Sequence, residues 1–141
     1  MTAAYTQSFA IAGRDFFRAG AASTEIKSIL KSLGIDAAVI RRVAIAAYEA
    51  EMNAVMYAER ATLTFSMTRE VIRLRVEDTG PGIPDIGVAM QEGWSTASHE
   101  LREMGFGAGM GLPNIKRNAD VFEISSEVGK GTALDIVIYI N

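Results

Sequence analysis

The stretch Asp78-Thr79-Gly80-Pro81-Gly82-Ile83-Pro84 decides how the rest of this chain is interpreted. A second glycine-rich stretch, Gly105-Phe106-Gly107-Ala108-Gly109-Met110-Gly111-Leu112, follows it later in the sequence. Glycine at every second position disfavours a packed strand or a stable helix, because each glycine adds backbone entropy and buries no side chain. We therefore predict two loops that bring bare backbone amides close to a ligand.

The chemistry of the two loops indicates what that ligand carries. The first loop begins with a carboxylate, Asp78, which can accept a hydrogen bond from a ring with donor groups. The second loop offers backbone N–H groups, and these favour anionic oxygens, especially next to a helix N-terminus. A molecule with such a ring at one end and phosphates at the other satisfies both loops, so ATP is the predicted ligand.

Length and composition exclude several other classes. The 141 residues suffice for one domain with a hydrophobic core and are too few for two ordinary ones, so residues 1–141 are predicted to form a single domain. A net charge of -3 with scattered Lys and Arg predicts no binding to nucleic acid or to an anionic membrane. The absence of Cys excludes disulfides and thiolate zinc sites. No secretory signal or membrane span is recognisable, so a cytoplasmic location is expected.

Hydrophobic periodicity gives the order of secondary-structure elements. We expect an edge strand, two helices, a hairpin, the glycine-rich middle, a short helix and a final hairpin. This order predicts an α+β fold, a two-layer sandwich in which helices cover one face of a mostly antiparallel mixed sheet. The expected ranges are 5–12 for the edge strand, 16–33 and 36–58 for the helices, 61–68 and 71–78 for the hairpin, 110–118 for the short helix, and 121–126 and 132–140 for the last strands.

The second helix carries the polar residues of greatest interest. Glu49 and Asn53 lie one turn apart, roughly opposite the main apolar side of the helix. A helix that is apolar nearly all round is buried, and buried polar groups are costly unless they are paired. Glu49 and Asn53 could cap a loop or bond to each other, but the glycine loops favour a functional role. Glu51 falls on another side and is predicted to have no comparable neighbour.

Four motifs together resemble a known superfamily. They are Glu49-Ala50-Glu51-Met52-Asn53, the loop 78–83, the glycine run 105–111 and Gly129-Lys130-Gly131-Thr132. Their order and spacing are similar to those of the ATPase superfamily of DNA gyrase, heat-shock chaperone, histidine kinases and mismatch-repair proteins, which has the Bergerat-type ATP-binding fold. Within it, the chain resembles the bacterial anti-sigma-factor serine kinases and the stressosome switch kinases.

The resemblance implies a role for each motif. Glu49 would be the general base, Asn53 a ligand of Mg²⁺, Asp78 the acceptor of the adenine amino group, and Thr132 a partner of the adenine through water. The resemblance also implies that Gly80 and Gly82 allow approach to the base, that Gly105, Gly107, Gly109 and Gly111 belong to a mobile lid over the phosphates, and that Ile83, Ala108, Met110 and Leu112 complete the nucleotide contacts. Arg102 would either reach the γ-phosphate or remain a solvated charge.

The implied activity is that of an ATP-dependent protein serine/threonine kinase-like regulator. Its substrate would be a small antagonist protein, and the resemblance also admits a sigma factor as a partner and a homodimer as the assembly. The alternative is a nucleotide-dependent switch that binds its partner with little or no phosphoryl transfer. Rossmann and P-loop folds fit poorly, since the glycine run lacks the third Rossmann glycine and Gly131, not Ser or Thr, follows Lys130.

Overall fold

The computed structural model describes residues 5–91 and 111–140, and it shows helices packed on an antiparallel sheet. The sheet has five strands in the order β1-β2-β3-β5-β4, and each neighbouring pair is antiparallel. The strands are β1 (Tyr5–Ala12), β2 (Arg60–Met67), β3 (Val71–Thr79), β4 (Val121–Glu127) and β5 (Gly131–Tyr139). The helices are α1 (Ala21–Ser32), α2 (Ala37–Tyr57), α3 (Ile86–Ala89) and α4 (Gly111–Asn118).

The two-layer α+β prediction is confirmed, and the edge position predicted for β1 is correct. Alternate residues of β2, β3 and β5 are buried, as expected for strands with one face on a core. Their buried side chains form one hydrophobic cluster with the apolar sides of α1, α2 and α4. The prediction was of a mostly antiparallel mixed sheet, and across the described strands the sheet is wholly antiparallel.

The ends of α1 and α2 follow from local chemistry, with one correction. Gly34 after α1 has a left-handed φ of 70°, and the Asp36 side chain accepts from the Ala38 N–H at 3.2 Å, which caps α2. However, α1 begins at Ala21 and not near residue 16. The left-handed Gly20, with a φ of 93°, precedes the first turn and separates it from the apolar residues upstream.

Two further features complete the fold. The short helix α3 was not predicted; the Asp85 carboxylate accepts from the Val88 N–H at 3.1 Å and starts it within the proline-containing loop. Helix α4 packs against α2, which itself crosses the sheet. Among residues 5–91 and 111–140, no helix has the length and apolar character needed to cross a membrane.

Candidate functional site

Asp78 lies near the end of β3 and faces the first residues of β5. Its Oδ1 accepts a hydrogen bond from the Thr132 N–H at 3.0 Å. Partial burial raises the pKa of the Asp78 carboxyl above its ordinary value, and the bond from Thr132 acts in the opposite direction. Residues 54 positions apart in sequence are thereby joined, as the sequence-based assignment of both to one site requires.

Glycines in the loop after β3 and at the start of β5 make close contacts with other parts of the backbone. Gly82 has a φ of 76°, and a Cβ on it would lie 2.4 Å from the Glu127 carbonyl oxygen. A Cβ on Gly131 would lie 2.0 Å from the Asp78 carbonyl oxygen. Gly80 lies against Ala58 at the end of α2, and a Cβ added to Gly80 would lie 3.1 Å from the Ala58 Cα. These glycines therefore allow protein backbones to approach one another, beyond any approach to a ligand.

Ser126 on β4 links this loop to β5 and was not identified from the sequence. Its Oγ accepts from the Ile83 N–H at 2.7 Å and lies 2.9 Å from the Thr132 Oγ1. It also lies 3.2 Å from the Gly131 carbonyl oxygen. A serine in the β4 pattern gives no sequence signal for this role, because the contact depends on how the loop folds back over the hairpin.

A cavity of about 380 Å³ opens between α2, the loop and β5. Its walls combine the apolar residues Ile83, Leu112 and Val128 with the Asp78 carboxylate and the Asn53 amide. Six predicted site residues line it together: Asn53, Asp78, Gly82, Ile83, Leu112 and Thr132. The remaining lining residues are Tyr57, Pro81, Pro84 and Val128. A mostly apolar pocket with a few converging polar groups is the usual form of a small-molecule site.

Glu49 lies one turn before Asn53 on the same side of α2. It lines a groove of about 940 Å³ between α1, α2 and α4. Its Oε2 accepts from the Asn114 Nδ2 at 2.6 Å, so its partner comes from α4. Asn53, one turn further along α2, lines the 380 Å³ cavity. Helix α2 therefore places Asn53 in the cavity and Glu49 in the groove.

The expectation for Glu51 was wrong. Its side chain is only 2% exposed, and it accepts hydrogen bonds from the Gly20, Ala22 and Ser23 N–H groups at 3.0, 3.2 and 2.9 Å. A carboxylate at a helix N-terminus satisfies donors that have no partner inside the helix. Glu51 thus caps α1 from α2, a contact that helical periodicity within α2 alone could not reveal.

The other predicted nucleotide contacts divide into two groups. Gly111 is the first residue of α4, and within the part of the chain that the structure describes a Cβ there would meet no atom beyond its chain neighbours within 4 Å. The predicted positions Arg102, Gly105, Gly107, Ala108, Gly109 and Met110 lie outside the described residues.

Comparison with known proteins shows the family of this chain. A family model described as "Histidine kinase-like ATPase domain" matches residues 17–138, which include every residue of the cavity. The chain is also 30% identical over 115 residues to serine/threonine-protein kinase RsbT of Bacillus subtilis (strain 168), and the alignment covers 79% of this chain and 80% of that protein. The chain therefore belongs to the histidine kinase-like ATPase family, and it is an ATP-using regulator of the ATPase or kinase kind.

Proposed function

We propose that this protein is an Mg²⁺- and ATP-dependent serine/threonine kinase that phosphorylates a small antagonist protein. The similarity to a serine/threonine-protein kinase supports the reaction class. The observation that carries the proposal is the placement of Asn53 in the cavity and of Glu49 in the groove beside it, one helical turn apart. The nucleotide and the accepting hydroxyl can therefore reach neighbouring turns of α2.

The cavity fits the adenine end of ATP. Ile83, Leu112 and Val128 provide apolar surface for a flat ring, and the Asp78 carboxylate provides an acceptor for its amino group. The Thr132 hydroxyl lies in the same wall and can contact the ring through water. A volume of about 380 Å³ is within the range of small-molecule pockets. We assign base recognition to Asp78 and Thr132.

The donor set near the phosphate end fits Mg²⁺. This hard cation keeps several waters and needs only one or two protein oxygens, and the Asn53 side-chain amide supplies one. The ion, when bound, reduces the negative charge of the phosphates during transfer. We assign its protein ligation to Asn53.

We assign the role of general base to Glu49, which lines the groove. In the proposed reaction, the partner's hydroxyl oxygen forms a bond to the γ-phosphorus of ATP while its proton passes to the Glu49 carboxylate. The bond from the γ-phosphorus to the oxygen that bridges it to the β-phosphorus breaks, which leaves ADP. Neither Glu49 nor any other residue of this chain becomes phosphorylated in this direct transfer.

The groove itself supports a protein partner. Three exposed cations, Lys27, Lys31 and Arg41, border it on α1 and α2. Two apolar side chains of α2, Ile45 and Tyr48, are 37% and 44% exposed beside them. Cations around an apolar strip complement a partner surface that carries acidic side chains around its serine or threonine. The proposed role is cytoplasmic, since it depends on ATP.

The decisive test is phosphate transfer from γ-labelled ATP. The parent protein and its Glu49→Gln variant are incubated with a candidate antagonist, and with the antagonist's variant that has alanine in place of the accepting residue. We expect label in the antagonist only with the parent protein and the intact acceptor. ATP-dependent complex formation without label would instead support a binding switch.

Two further measurements test the other predicted partners. Repeating the assay with candidate sigma factors tests whether a sigma factor binds. Measuring the mass of the protein in solution tests the homodimer.

A further inference from the structure

We propose that Asn114 is a positioning residue that holds the Glu49 carboxylate for proton transfer. The proposal rests on the proposed function, because it assumes that Glu49 is the base. Its basis is the 2.6 Å hydrogen bond from the Asn114 Nδ2 to the Glu49 Oε2. A bond from an amide to a carboxylate is charge-assisted, and such bonds are short and about twice as strong as neutral ones.

The orientation of the Asn114 amide is set by its other contacts. Its Oδ1 accepts from the Arg117 Nη1 at 2.9 Å, and a guanidinium has only donors. The amide oxygen therefore faces Arg117, and the amide nitrogen faces Glu49. A separate bond, from the Asn118 Nδ2 to the Asn114 backbone carbonyl at 2.8 Å, does not involve the side-chain amide. Asn114 thus has a fixed donor direction within the first turns of α4.

The consequence for Glu49 is a restricted side chain. A glutamate has three rotatable side-chain bonds, and a half-buried one on a groove wall could otherwise sample several directions. The bond occupies one carboxylate oxygen, and the second oxygen, Oε1, can still accept a proton. Because misplacing a reacting group by about 1 Å can cost roughly 10²-fold in rate, fixing Oε2 from α4 would raise turnover without contacting the nucleotide.

A matched pair of substitutions separates positioning from simple helix packing. Asn114→Asp keeps the shape of the side chain and the oxygen that faces Arg117, but it replaces the donor to Glu49 with an acceptor. Asn118→Asp makes the same chemical change one turn later on α4, where the amide donates to the Asn114 carbonyl and not to Glu49. Asn114→Gln restores a donor on a longer side chain.

The kinetic readout is hydrolysis of Mg·ATP, in which water replaces the partner's hydroxyl. We expect Asn114→Asp to lower kcat roughly tenfold to hundredfold, with ATP affinity close to that of the parent and a lower thermal unfolding midpoint, because two carboxylates then face each other. Asn118→Asp should retain kcat, and Asn114→Gln should recover part of the loss. Equal losses in both aspartate variants, or a loss of stability with kcat unchanged, would overturn the positioning role.

A second readout needs no nucleotide. In ¹⁵N-labelled protein, the side-chain amide signal of Asn114 should shift strongly in Glu49→Ala and remain near its original position in Glu25→Ala, a change on the exposed side of α1. No shift in Glu49→Ala would overturn the bond in solution.

The failure of the positioning role can be told from the failure of the proposed function. If Glu49→Gln hydrolyses ATP as fast as the parent, Glu49 is not the base and the proposed function fails. If Glu49→Gln is inactive while Asn114→Asp is fully active, only the positioning role fails.

Discussion

Glu51 on α2 accepts a hydrogen bond from the Ser23 N–H of α1 at 2.9 Å, through its Oε1. Its Oε2 accepts from Gly20 and Ala22. One buried carboxylate thus accepts from the backbone N–H groups at the start of α1, and it joins α1 to the helix that carries Glu49 and Asn53. The contact places the two glutamates of the 49–53 motif in separate roles, one structural and one proposed to be chemical.

We expect Glu51→Ala to destabilise the protein by roughly 1.5–3 kcal/mol, because it removes hydrogen bonds to a charged group and leaves buried N–H donors without a partner. Urea unfolding measures the change. Glu25→Ala, on the exposed surface of α1, is the control and should change the free energy of unfolding by no more than about 0.5 kcal/mol. Equal effects of the two substitutions would mean that the Glu51 cap adds nothing to stability.

Glu49→Gln and Asn53→Ala should separate chemistry from binding. Because Glu49 is proposed to act on the proton of the attacking hydroxyl, Glu49→Gln should retain Mg·ATP affinity and lose roughly 10²–10⁴ in phosphoryl transfer. Asn53→Ala should lose the part of ATP affinity that depends on Mg²⁺. Calorimetric titrations with and without the metal, beside a transfer assay, make the distinction; weakened ATP binding in Glu49→Gln would argue against it.

Asp78→Asn should weaken ATP binding and reduce the preference for adenine. A charge-assisted bond from the amino group of the base is replaced by a weaker, partly mismatched one, at a cost of roughly 1.5–3 kcal/mol, or about tenfold or more in affinity. Titration of the parent and variant with ATP and GTP measures both effects. ATP affinity that does not change in the variant would remove Asp78 from the site.

The sequence predicted the strands and hairpins of the sheet, because strand alternation and the glycine turns are local signals. The assignment of Asp78 and Thr132 to one site came instead from the resemblance of the four motifs. Prediction from the sequence failed where a contact depends on the meeting of distant elements. The partners of Glu51 are N–H groups 28 to 31 residues away, and the periodicity of α2 gives no account of them. Asn114 and Ser126 were missed for the same reason, since each acts through a residue more than 40 positions away.

Acidification should weaken the binding of adenosine. Only the ionised Asp78 carboxylate can accept from the amino group without itself donating, and burial raises the pKa of this group above its ordinary value of 3.8. Affinity should therefore be full near neutrality and fall as the pH drops toward this raised pKa, earlier than for an ordinary aspartate. Adenosine is the ligand of choice because phosphates titrate near pH 6 themselves. A fall of the same size in Asp78→Asn would assign the effect to another group.

Gly82→Ala should harm both stability and ATP binding, whereas Gly34→Ala should affect stability alone. The two glycines have similar left-handed φ angles, 76° and 70°, so a side chain strains the backbone at either position by roughly 1–3 kcal/mol. They differ in their surroundings. Among residues 5–91 and 111–140, a Cβ on Gly34 meets no atom beyond its chain neighbours within 4 Å, while one on Gly82 would lie 2.4 Å from the Glu127 carbonyl oxygen. Gly82→Ala must therefore displace the loop that lines the cavity.

Urea unfolding and calorimetric titration of both variants with ATP test this prediction. Equal losses of stability, with ATP affinity kept in both variants, would show that the contact of Gly82 with Glu127 does not shape the site.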